Sequence, residues 1–361
     1  MDSIPRTEHR ETKSVQCRWG VVGTHRIAQN FVRALMRVPG AKLAGICSRS
    51  REKGQAFLRS VDGAECVVYS TLDELCSSSG IDAVYIASPT KLHKDHCIAA
   101  LEGGKAVLCE KPLAASGAEA REIAAAAQAA NRFCMEAMWM RFSPLIQEAK
   151  RMVEAGSLGE VHFLRAEAGY AKQGEMLDRE RKPGEGRGAL LAFGVYAISL
   201  AHYILGKPDA ISGAVLRISD DAGEDAFSAS LRYGQNCLAV VSAHQTATLS
   251  NEATIVGEDG FIVVDSPFIG PSQMRVFSPH WRSPARGRVH RMVRQALARL
   301  MPARFPPANA LCAEADAGLR GEALELMECV SDGRTQSDVM PLEASIEILD
   351  MIDAIRGSAR V

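Results

Sequence analysis

The sequence predicts an α/β protein: a doubly wound parallel sheet, followed by an α+β domain with a large, mainly antiparallel, open-faced sheet. Residues 17 to about 140 alternate short apolar runs with amphipathic helical segments, which is typical of a doubly wound sheet. From Val161 onward the apolar runs are longer and alternate with polar residues, which favours antiparallel strands with one open face. A chain of 361 residues is long enough for two such cores.

The first strand and helix predict a dinucleotide site. The apolar run at residues 18–22 ends in a glycine and leads into an amphipathic helix. Free backbone N–H groups at a helix N-terminus bind a pyrophosphate. The candidate binding residues are Gly23, Thr24, His25, Arg26 and Ile27. Because His25 replaces the second glycine of the G-x-G-x-x-[GA] pattern, an ordinary strand-to-helix turn explains this motif equally well.

The second strand, residues 42–47, indicates the type of cofactor. An acidic residue at this strand end would bind the ribose 2′-hydroxyl of NAD. Ser48 and Arg49 stand there instead, and the planar fork of an arginine matches the oxygens of a 2′-phosphate. We therefore expect NADP(H), with a basic solvated loop as the alternative.

The next two strand ends carry candidate cofactor-binding residues, namely Ser88, Pro89, Thr90, Glu110 and Lys111, and two candidate catalytic residues, His93 and Lys111. The run at 81–87 leads to Ser88, Pro89, Thr90 and, on the following helix, His93. The run at 106–109 leads to Glu110, Lys111 and Pro112. Ligands bind outside the carboxyl ends of parallel strands, where a lysine beside a carboxylate can exchange a proton. A solvated salt bridge is the alternative for such a pair.

A metal site is not expected from these residues. His93 and His96 are spaced i, i+3 on a predicted helix, but no third ligand of metal type follows at a recognisable spacing. His93 is expected to lie in the cleft as a substrate contact, and His96 on the helix surface.

These motifs occur in order, at residues 23–28, 48–50, 87–93 and 109–113, and together they resemble the Gfo/Idh/MocA family of oxidoreductases. The segment 135–142 is similar to the branch that holds dimeric dihydrodiol dehydrogenase, D-xylose dehydrogenase and glucose–fructose oxidoreductase. By this resemblance, Lys111 contacts substrate and nicotinamide. Trp139 and Arg141 are assigned to the cofactor side of the cleft.

The resemblance also implies a domain organisation. An NADP-binding Rossmann domain spans 17–140, and a C-terminal helix at 342–355 packs back on it. A domain for substrate binding and oligomerisation spans 141–340, with a homodimer or homotetramer formed through its sheet. A basic insertion at 268–312 matches nothing in the family.

One family motif is altered. The pattern G-G-A-L-x-D-x-G-x-[YH] reads here as residues 188–196, with Tyr196 as the candidate general acid/base. Ala192 replaces the aspartate that helps to hold the substrate in the family. This loss puts substrate orientation, and turnover itself, in question.

The insertion is strongly basic, with no Asp or Glu between Asp265 and Glu314. Its arginines are Arg275, Arg282, Arg286, Arg288, Arg291, Arg294, Arg299 and Arg304. Apolar residues recur among them at helical spacing. The segment could clamp an anionic substrate, lie on an anionic membrane, or pack on the domain with its arginines in solvent.

Composition agrees with a cytoplasmic enzyme. The net charge of −1 gives no general attraction to nucleic acid or membranes. The ten cysteines include no C-x-x-C, which favours reduced thiols. Residues 1–16 are polar, without the apolar core of a signal peptide, and predict a flexible arm. No apolar run reaches membrane-spanning length.

We therefore expect an NADP(H)-dependent oxidoreductase that moves hydride between nicotinamide and a carbinol or ketone carbon of a sugar-like or polyol substrate, anionic or nucleotide-linked. One alternative is a cofactor-binding protein with little turnover, which Ala192 favours. Another is a lyase or glycosidase that uses transient oxidation by bound nicotinamide, without net consumption of the cofactor.

Overall fold

A six-stranded parallel sheet forms the N-terminal half of the protein. The computed structural model describes residues 16–61, 64–181, 188–216, 223–277, 310–314 and 316–358. The six strands run in the spatial order β3-β2-β1-β4-β5-β6. They are β1 (Cys17–Val22), β2 (Ala41–Cys47), β3 (Val67–Tyr69), β4 (Ala83–Ile86), β5 (Ala106–Glu110) and β6 (Cys134–Ala137). The order reverses between β1 and β4, so the cleft at their carboxyl ends is the point where such sheets bind ligands.

Five helices connect these strands: α1 (Arg26–Leu35), α2 (Arg51–Ser60), α3 (Leu72–Ser77), α4 (His93–Glu102) and α5 (Gly117–Ala130). Helix α5 shows why they begin and end where they do. The Ser116 hydroxyl accepts a hydrogen bond from Glu119 N at 3.3 Å, and Asn131 ends the helix with a left-handed φ of 50°. The predicted doubly wound parallel sheet is confirmed.

Aromatic packing in this half reaches the candidate site. The Phe31 and Tyr85 rings stack with centroids 3.7 Å apart, and Trp19 meets Phe31 edge-on at 5.5 Å. All three side chains are buried. The stacking fixes the Tyr85 ring on β4, so its hydroxyl group is held beside the end of β5.

An eight-stranded sheet dominates the C-terminal half, in the order β14-β13-β12-β11-β7-β10-β9-β8. Its strands are β7 (Val161–Gly169), β8 (Ala210–Leu216), β9 (Ala226–Tyr233), β10 (Cys237–His244), β11 (Ala253–Gly257), β12 (Phe261–Val264), β13 (Gln273–Phe277) and β14 (Ala310–Cys312). Only the β7–β10 pair among these is parallel. The predicted large, mainly antiparallel sheet is confirmed.

Five helices belong to this half: α6 (Pro144–Glu154), α7 (Glu175–Arg181), α8 (Val195–Leu205), α9 (Ala317–Ser331) and α10 (Leu342–Ser358). Of these, α6, α8 and α10 pack against one face of the sheet, whereas α9 packs on α1 and β5 of the N-terminal half. Along β9 and β10, buried and more exposed residues alternate, so the opposite face carries the exposed ones. Helix α10 contacts both halves, because it packs on α5 as well as on α8 and β8. Asp353 accepts a hydrogen bond from Gly117 N at 3.2 Å.

Several segments named in the sequence predictions lie outside the described residues. These are residues 1–15, residues 182–187 and residues 278–309. They hold most of the N-terminal arm, the residues just before the 188–196 motif, and seven of the eight arginines of the insertion. The eighth, Arg275, bonds Asp265 at 2.6 Å in the structure.

Candidate active site

The first wall of the cleft is the turn between β1 and α1. Gly23 has φ 107°, and a Cβ there would lie 2.5 Å from the Ala87 carbonyl oxygen at the end of β4. Only glycine fits this conformation and this close approach. The backbone of the turn is therefore packed directly on the neighbouring strand end, as a dinucleotide cradle requires.

The N-terminus of α1 points into this cradle. His25 is the N-cap residue, is exposed, and makes no side-chain capping bond, while the first turn of α1 carries no acidic residue. The first backbone N–H groups of the helix are thus not capped by its own N-terminal side chains. Together with the exposed Arg26, they fit a pyrophosphate.

Ser48 and Arg49 differ in their surroundings at the end of β2. Ser48 is buried and its hydroxyl donates to the Ser50 carbonyl oxygen at 2.9 Å. Arg49 is exposed. Of the two residues predicted to select the cofactor, Ser48 shapes the turn and Arg49 carries the accessible charge.

The Glu110-Lys111-Pro112 turn divides into an inward and an outward part. Glu110 is buried; its Oε1 accepts from the Tyr85 hydroxyl at 2.5 Å, and its Oε2 from the Lys111 backbone N–H at 3.1 Å. Glu110 was predicted to face the cofactor, and the structure directs its carboxylate at the protein interior. It therefore positions the turn, whereas Lys111 extends towards the second half of the protein.

Lys111 and Tyr196 lie together, as the family resemblance predicts. Lys111 Nζ is 4.4 Å from the centroid of the Tyr196 ring. The Tyr196 hydroxyl accepts a hydrogen bond from Trp139 Nε1 at 2.8 Å. This contact leaves the hydroxyl proton for another acceptor, so Tyr196 has the chemistry of a general acid.

Ala192 lies in a widened, π-type helical turn at Leu190–Gly194 that precedes α8. Its carbonyl oxygen accepts from Lys111 Nζ at 2.8 Å. The bond comes from the backbone, so it does not depend on the side chain at this position. A neutral carbonyl thus contacts the ammonium here, at the position where the family pattern has a carboxylate.

His93 is the first residue of α4 and is 1% exposed. Its Nδ1 lies 2.9 Å from the Pro112 carbonyl oxygen and its Nε2 2.8 Å from the Ser88 carbonyl oxygen. The ring therefore lies between two turns, whereas the sequence predicted a substrate contact. Nearby, Pro89 is exposed and Thr90 is buried.

Arg141 does not face the cleft. Its guanidinium donates to Ser199 Oγ at 2.9 Å and to the Ser199 and Val339 carbonyl oxygens at 3.1 and 3.3 Å. Burial lowers the pKa of Arg141 to about 10. These contacts tie the 139–142 turn to α8, and they do not support the cofactor contact predicted for it.

Sequence reasoning overlooked two titratable groups around the site, Glu136 and Glu322, and assigned a third, His96, to the helix surface. His96, expected on the surface, has Nδ1 3.0 Å from Ser88 Oγ, and burial lowers its pKa. Glu136 Oε1 accepts from Leu113 N at 3.0 Å, and burial raises its pKa. Glu322 on α9 is fully buried near Glu110. For His96, the i, i+3 spacing from His93 was the only sequence signal of a place near the site.

Among the described residues, one group of three could hold a metal ion. It consists of Glu160, His162 and Glu258, at the start of β7 and the end of β11. Two of its members are exposed, and none belongs to the cleft described above. None of the described helices is both long and apolar enough to cross a membrane.

Comparison with known proteins agrees with this geometry. Residues 17–138 match the family model described as "Oxidoreductase family, NAD-binding Rossmann fold", and residues 146–263 match the GFO/IDH/MocA C-terminal domain. The chain therefore belongs to the Gfo/Idh/MocA family. It is an oxidoreductase that acts on CH–OH groups with a nicotinamide cofactor.

Individual relatives cover nearly the whole chain. Human trans-1,2-dihydrobenzene-1,2-diol dehydrogenase is 28% identical over 349 residues, which cover 95% of this chain and 97% of the relative. A 3-ketoreductase from Actinomadura kijaniata in complex with NADP and TDP-benzene superposes with a TM-score of 0.78 at 22% identity, over 96% and 98% of the two chains. Levoglucosan dehydrogenase in complex with NADH and levoglucosan gives 0.79 at 20% identity, over 95% and 97%. At these identities the two structures establish the fold alone.

Proposed function

We propose that the protein is an NADP(H)-dependent oxidoreductase that transfers hydride between nicotinamide C4 and a carbinol or ketone carbon of a polyhydroxylated, sugar-like substrate. The observation that carries this proposal is the Lys111–Tyr196 pair at the carboxyl end of β5, with Nζ 4.4 Å from the ring centroid. A cation and a phenol side by side suit an oxygen that gains or loses a proton during hydride transfer.

The cofactor supplies the hydride chemistry when it is bound, and the protein supplies binding, orientation and a proton. The Gly23 turn and the N-terminus of α1 fit the pyrophosphate, and the exposed Arg49 fits a 2′-phosphate. The choice of NADP(H) over NAD(H) rests on Arg49 and on the lack of an acidic residue at the end of β2.

Lys111 and Tyr196 have separate tasks in this scheme. Lys111 donates a hydrogen bond to the substrate oxygen and stabilises negative charge that develops there. In the direction of reduction, Tyr196 gives its proton to that oxygen as the carbon receives hydride. In the direction of oxidation it takes the proton back. The nearby ammonium stabilises the phenolate left after proton transfer.

Ala192 supports an anionic or nucleotide-linked substrate. With a methyl group in place of a carboxylate, this position neither accepts a sugar hydroxyl nor repels a negative charge. Lys111 contacts the neutral Ala192 carbonyl oxygen at 2.8 Å, so the positive charge of the ammonium is not neutralised at this contact. The same substitution favours a second candidate, a cofactor-binding protein with little or no turnover.

The test is an absorbance assay of NADPH consumption and NADP⁺ reduction with paired neutral and phosphorylated or nucleotide-linked sugars, at low and high salt. We expect turnover of an anionic substrate that weakens as salt rises. Lys111→Ala should lower the rate by ~10² or more with NADPH affinity nearly intact. Lys207→Ala, an exposed change just after the end of α8, is the matched control. Salt-insensitive turnover of a neutral monosaccharide would overturn the substrate class, and no turnover at all would favour the binding protein.

We also propose a homodimer or homotetramer formed through the open face of the eight-stranded sheet. Leu216 and Leu238 are 58% and 40% exposed at the ends of β8 and β10, and burying such side chains favours association. Leu238→Asp should lower the mass measured by sedimentation; an unchanged monomer in both forms would refute the proposal.

The free cysteines fit a reducing compartment, and we propose a cytoplasmic location.

A further inference from the structure

The proposed reaction depends on two turns, which follow the adjacent strands β4 and β5. Beyond the last residue pair of these two strands, the sheet does not join the turns to each other. The parallel ladder between β4 and β5 ends at Ile86 and Cys109. Past that point, the chain from β4 enters the cofactor turn at Ser88 and the chain from β5 enters the turn that carries Lys111. Each turn therefore needs other contacts to fix its position.

Separate contacts hold each turn from its outer side. On the β4 side, Gly23 packs against the Ala87 carbonyl oxygen and His96 Nδ1 lies 3.0 Å from Ser88 Oγ. On the β5 side, Glu136 accepts from Leu113 N at 3.0 Å. These contacts tie the first turn to α1 and α4, and the second to β6. None of them sets the distance between the two turns.

The His93 ring lies between the two turns and contacts both. Nδ1 is 2.9 Å from the Pro112 carbonyl oxygen, and Nε2 is 2.8 Å from the Ser88 carbonyl oxygen. A rigid ring that is 1% exposed cannot turn away from these oxygens without breaking the packing around it. A carbonyl oxygen only accepts, so the neutral ring donates to one of them and the protonated ring to both.

We propose that His93 is a positioning residue: it sets the spacing between the cofactor turn at Ser88 and the turn at Pro112, and thereby places Lys111 Nζ against the nicotinamide and the substrate oxygen. This role replaces the substrate contact that the motif suggests, and it rests on the proposed hydride transfer. Pro112 directly follows Lys111, so a shift of its carbonyl group moves the lysine backbone with it. A displacement of about 1 Å at a reacting group can lower a rate by ~10².

The experiment compares wild type, His93→Phe, His93→Gln and the matched control His162→Phe, at a half-buried histidine at the start of β7. Phenylalanine keeps an aromatic ring and removes both ring nitrogens, whereas glutamine keeps an amide N–H group that can donate to a carbonyl oxygen. With any substrate that turns over, we expect His93→Phe to lower kcat by ~10² with KM nearly unchanged. His93→Gln should recover part of the loss, and the control should match wild type.

A second measurement does not depend on turnover. Lysines of the full chain are reductively methylated with ¹³C and observed by NMR, and the Lys111 signal is identified by its absence in Lys111→Arg. We expect the signal to move in His93→Phe and to stay in His162→Phe. An unmoved signal with kcat within threefold of wild type would overturn the proposal. So would a raised KM at unchanged kcat, which would mark a direct substrate contact. If no substrate turns over, the proposed function fails, and the NMR signal alone decides whether His93 is a positioning residue. If His93→Phe does not fold, His93→Gln gives the same comparison.

Discussion

Replacing Glu322 with glutamine should stabilise the protein relative to wild type, and this difference in stability should grow as the pH rises. Glu322 lies on α9, is fully buried, and has no hydrogen-bond partner for either carboxyl oxygen among the described residues. Burial, and then the charge of Glu110, raise the pKa of Glu322 well above its usual value of 4.5. The Tyr85 hydroxyl and the Lys111 N–H both donate to Glu110. Burial and the charge of Glu110 both oppose ionisation of Glu322, so the proton stays on Glu322.

The sign follows from linkage. The folded state keeps a proton that the unfolded chain releases above about pH 4.5, so wild type loses stability as the pH rises from there towards the raised pKa of Glu322. The loss amounts to about 1.4 kcal/mol per pH unit within that range. For each pH unit between about 4.5 and the raised pKa of Glu322, the glutamine variant should therefore gain roughly 1.4 kcal/mol on wild type, or about 2 °C in Tm.

Calorimetry of both proteins across this pH range measures the effect, with Glu328→Gln as control. Glu328 is exposed on the same helix, so the same chemical change there should leave the pH dependence unaltered. Parallel Tm curves for wild type and Glu322→Gln would refute the reasoning, because they would show that Glu322 is ionised throughout. The infrared carbonyl band of a protonated carboxylic acid, lost in Glu322→Gln, gives an independent check.

Three further predictions concern the cleft and its support. NADPH should bind at least about tenfold tighter than NADH, or roughly 1.4 kcal/mol, and Arg49→Asp should narrow or reverse that gap in fluorescence titrations; equal affinities in wild type would be incompatible with a 2′-phosphate contact at Arg49. Ala192→Asp should raise kcat/KM for neutral polyols relative to anionic substrates by about tenfold, since a paired hydroxyl is worth about 1–3 kcal/mol; a fall for both classes would count against this role for residue 192. Arg141→Leu should lower the free energy of unfolding by about 3 kcal/mol, because the Ser199 and Val339 carbonyl oxygens lose their hydrogen-bond donor, and NADPH affinity should not change. Weaker NADPH binding in a stable variant would instead support the cofactor contact first predicted for Arg141.

Local patterns predicted much of the fold and the central pair of the site. Strands β9 and β10 alternate buried and more exposed residues, as the alternation of apolar and polar side chains after Val161 predicts. Lys111 and Tyr196 meet because each belongs to a motif with a fixed place in the family fold. The strands depend on a few neighbouring residues, so the sequence displays them directly, whereas the pairing of Lys111 with Tyr196 was implied by the family resemblance.

The features that were not predicted depend on packing between distant segments. The charge of Arg141 suggested a phosphate ligand, but its partners Ser199 and Val339 lie 58 and 198 residues away. In the sequence, Glu322 is indistinguishable from an exposed helical glutamate, and it becomes buried only because α9 packs against β5 of the six-stranded sheet. The Ala192 carbonyl contact is not visible in the sequence, because a side-chain motif says nothing about a backbone oxygen released by a widened turn.

Packing between distant segments also affects the proposed proton donor, because α9 lies against the turn whose Trp139 contacts Tyr196. A Cβ on Gly318 would lie 2.3 Å from the Trp139 carbonyl oxygen, so α9 sits directly on the turn that begins at Trp139. Trp139 Nε1 in turn donates to the Tyr196 hydroxyl at 2.8 Å. Any larger residue at position 318 must therefore push α9 or the Trp139 turn aside, and a moved turn withdraws the donor that orients the Tyr196 hydroxyl. The geometry of the proposed proton donor is thus set by a glycine 122 residues further along the chain, outside every motif that identifies the site.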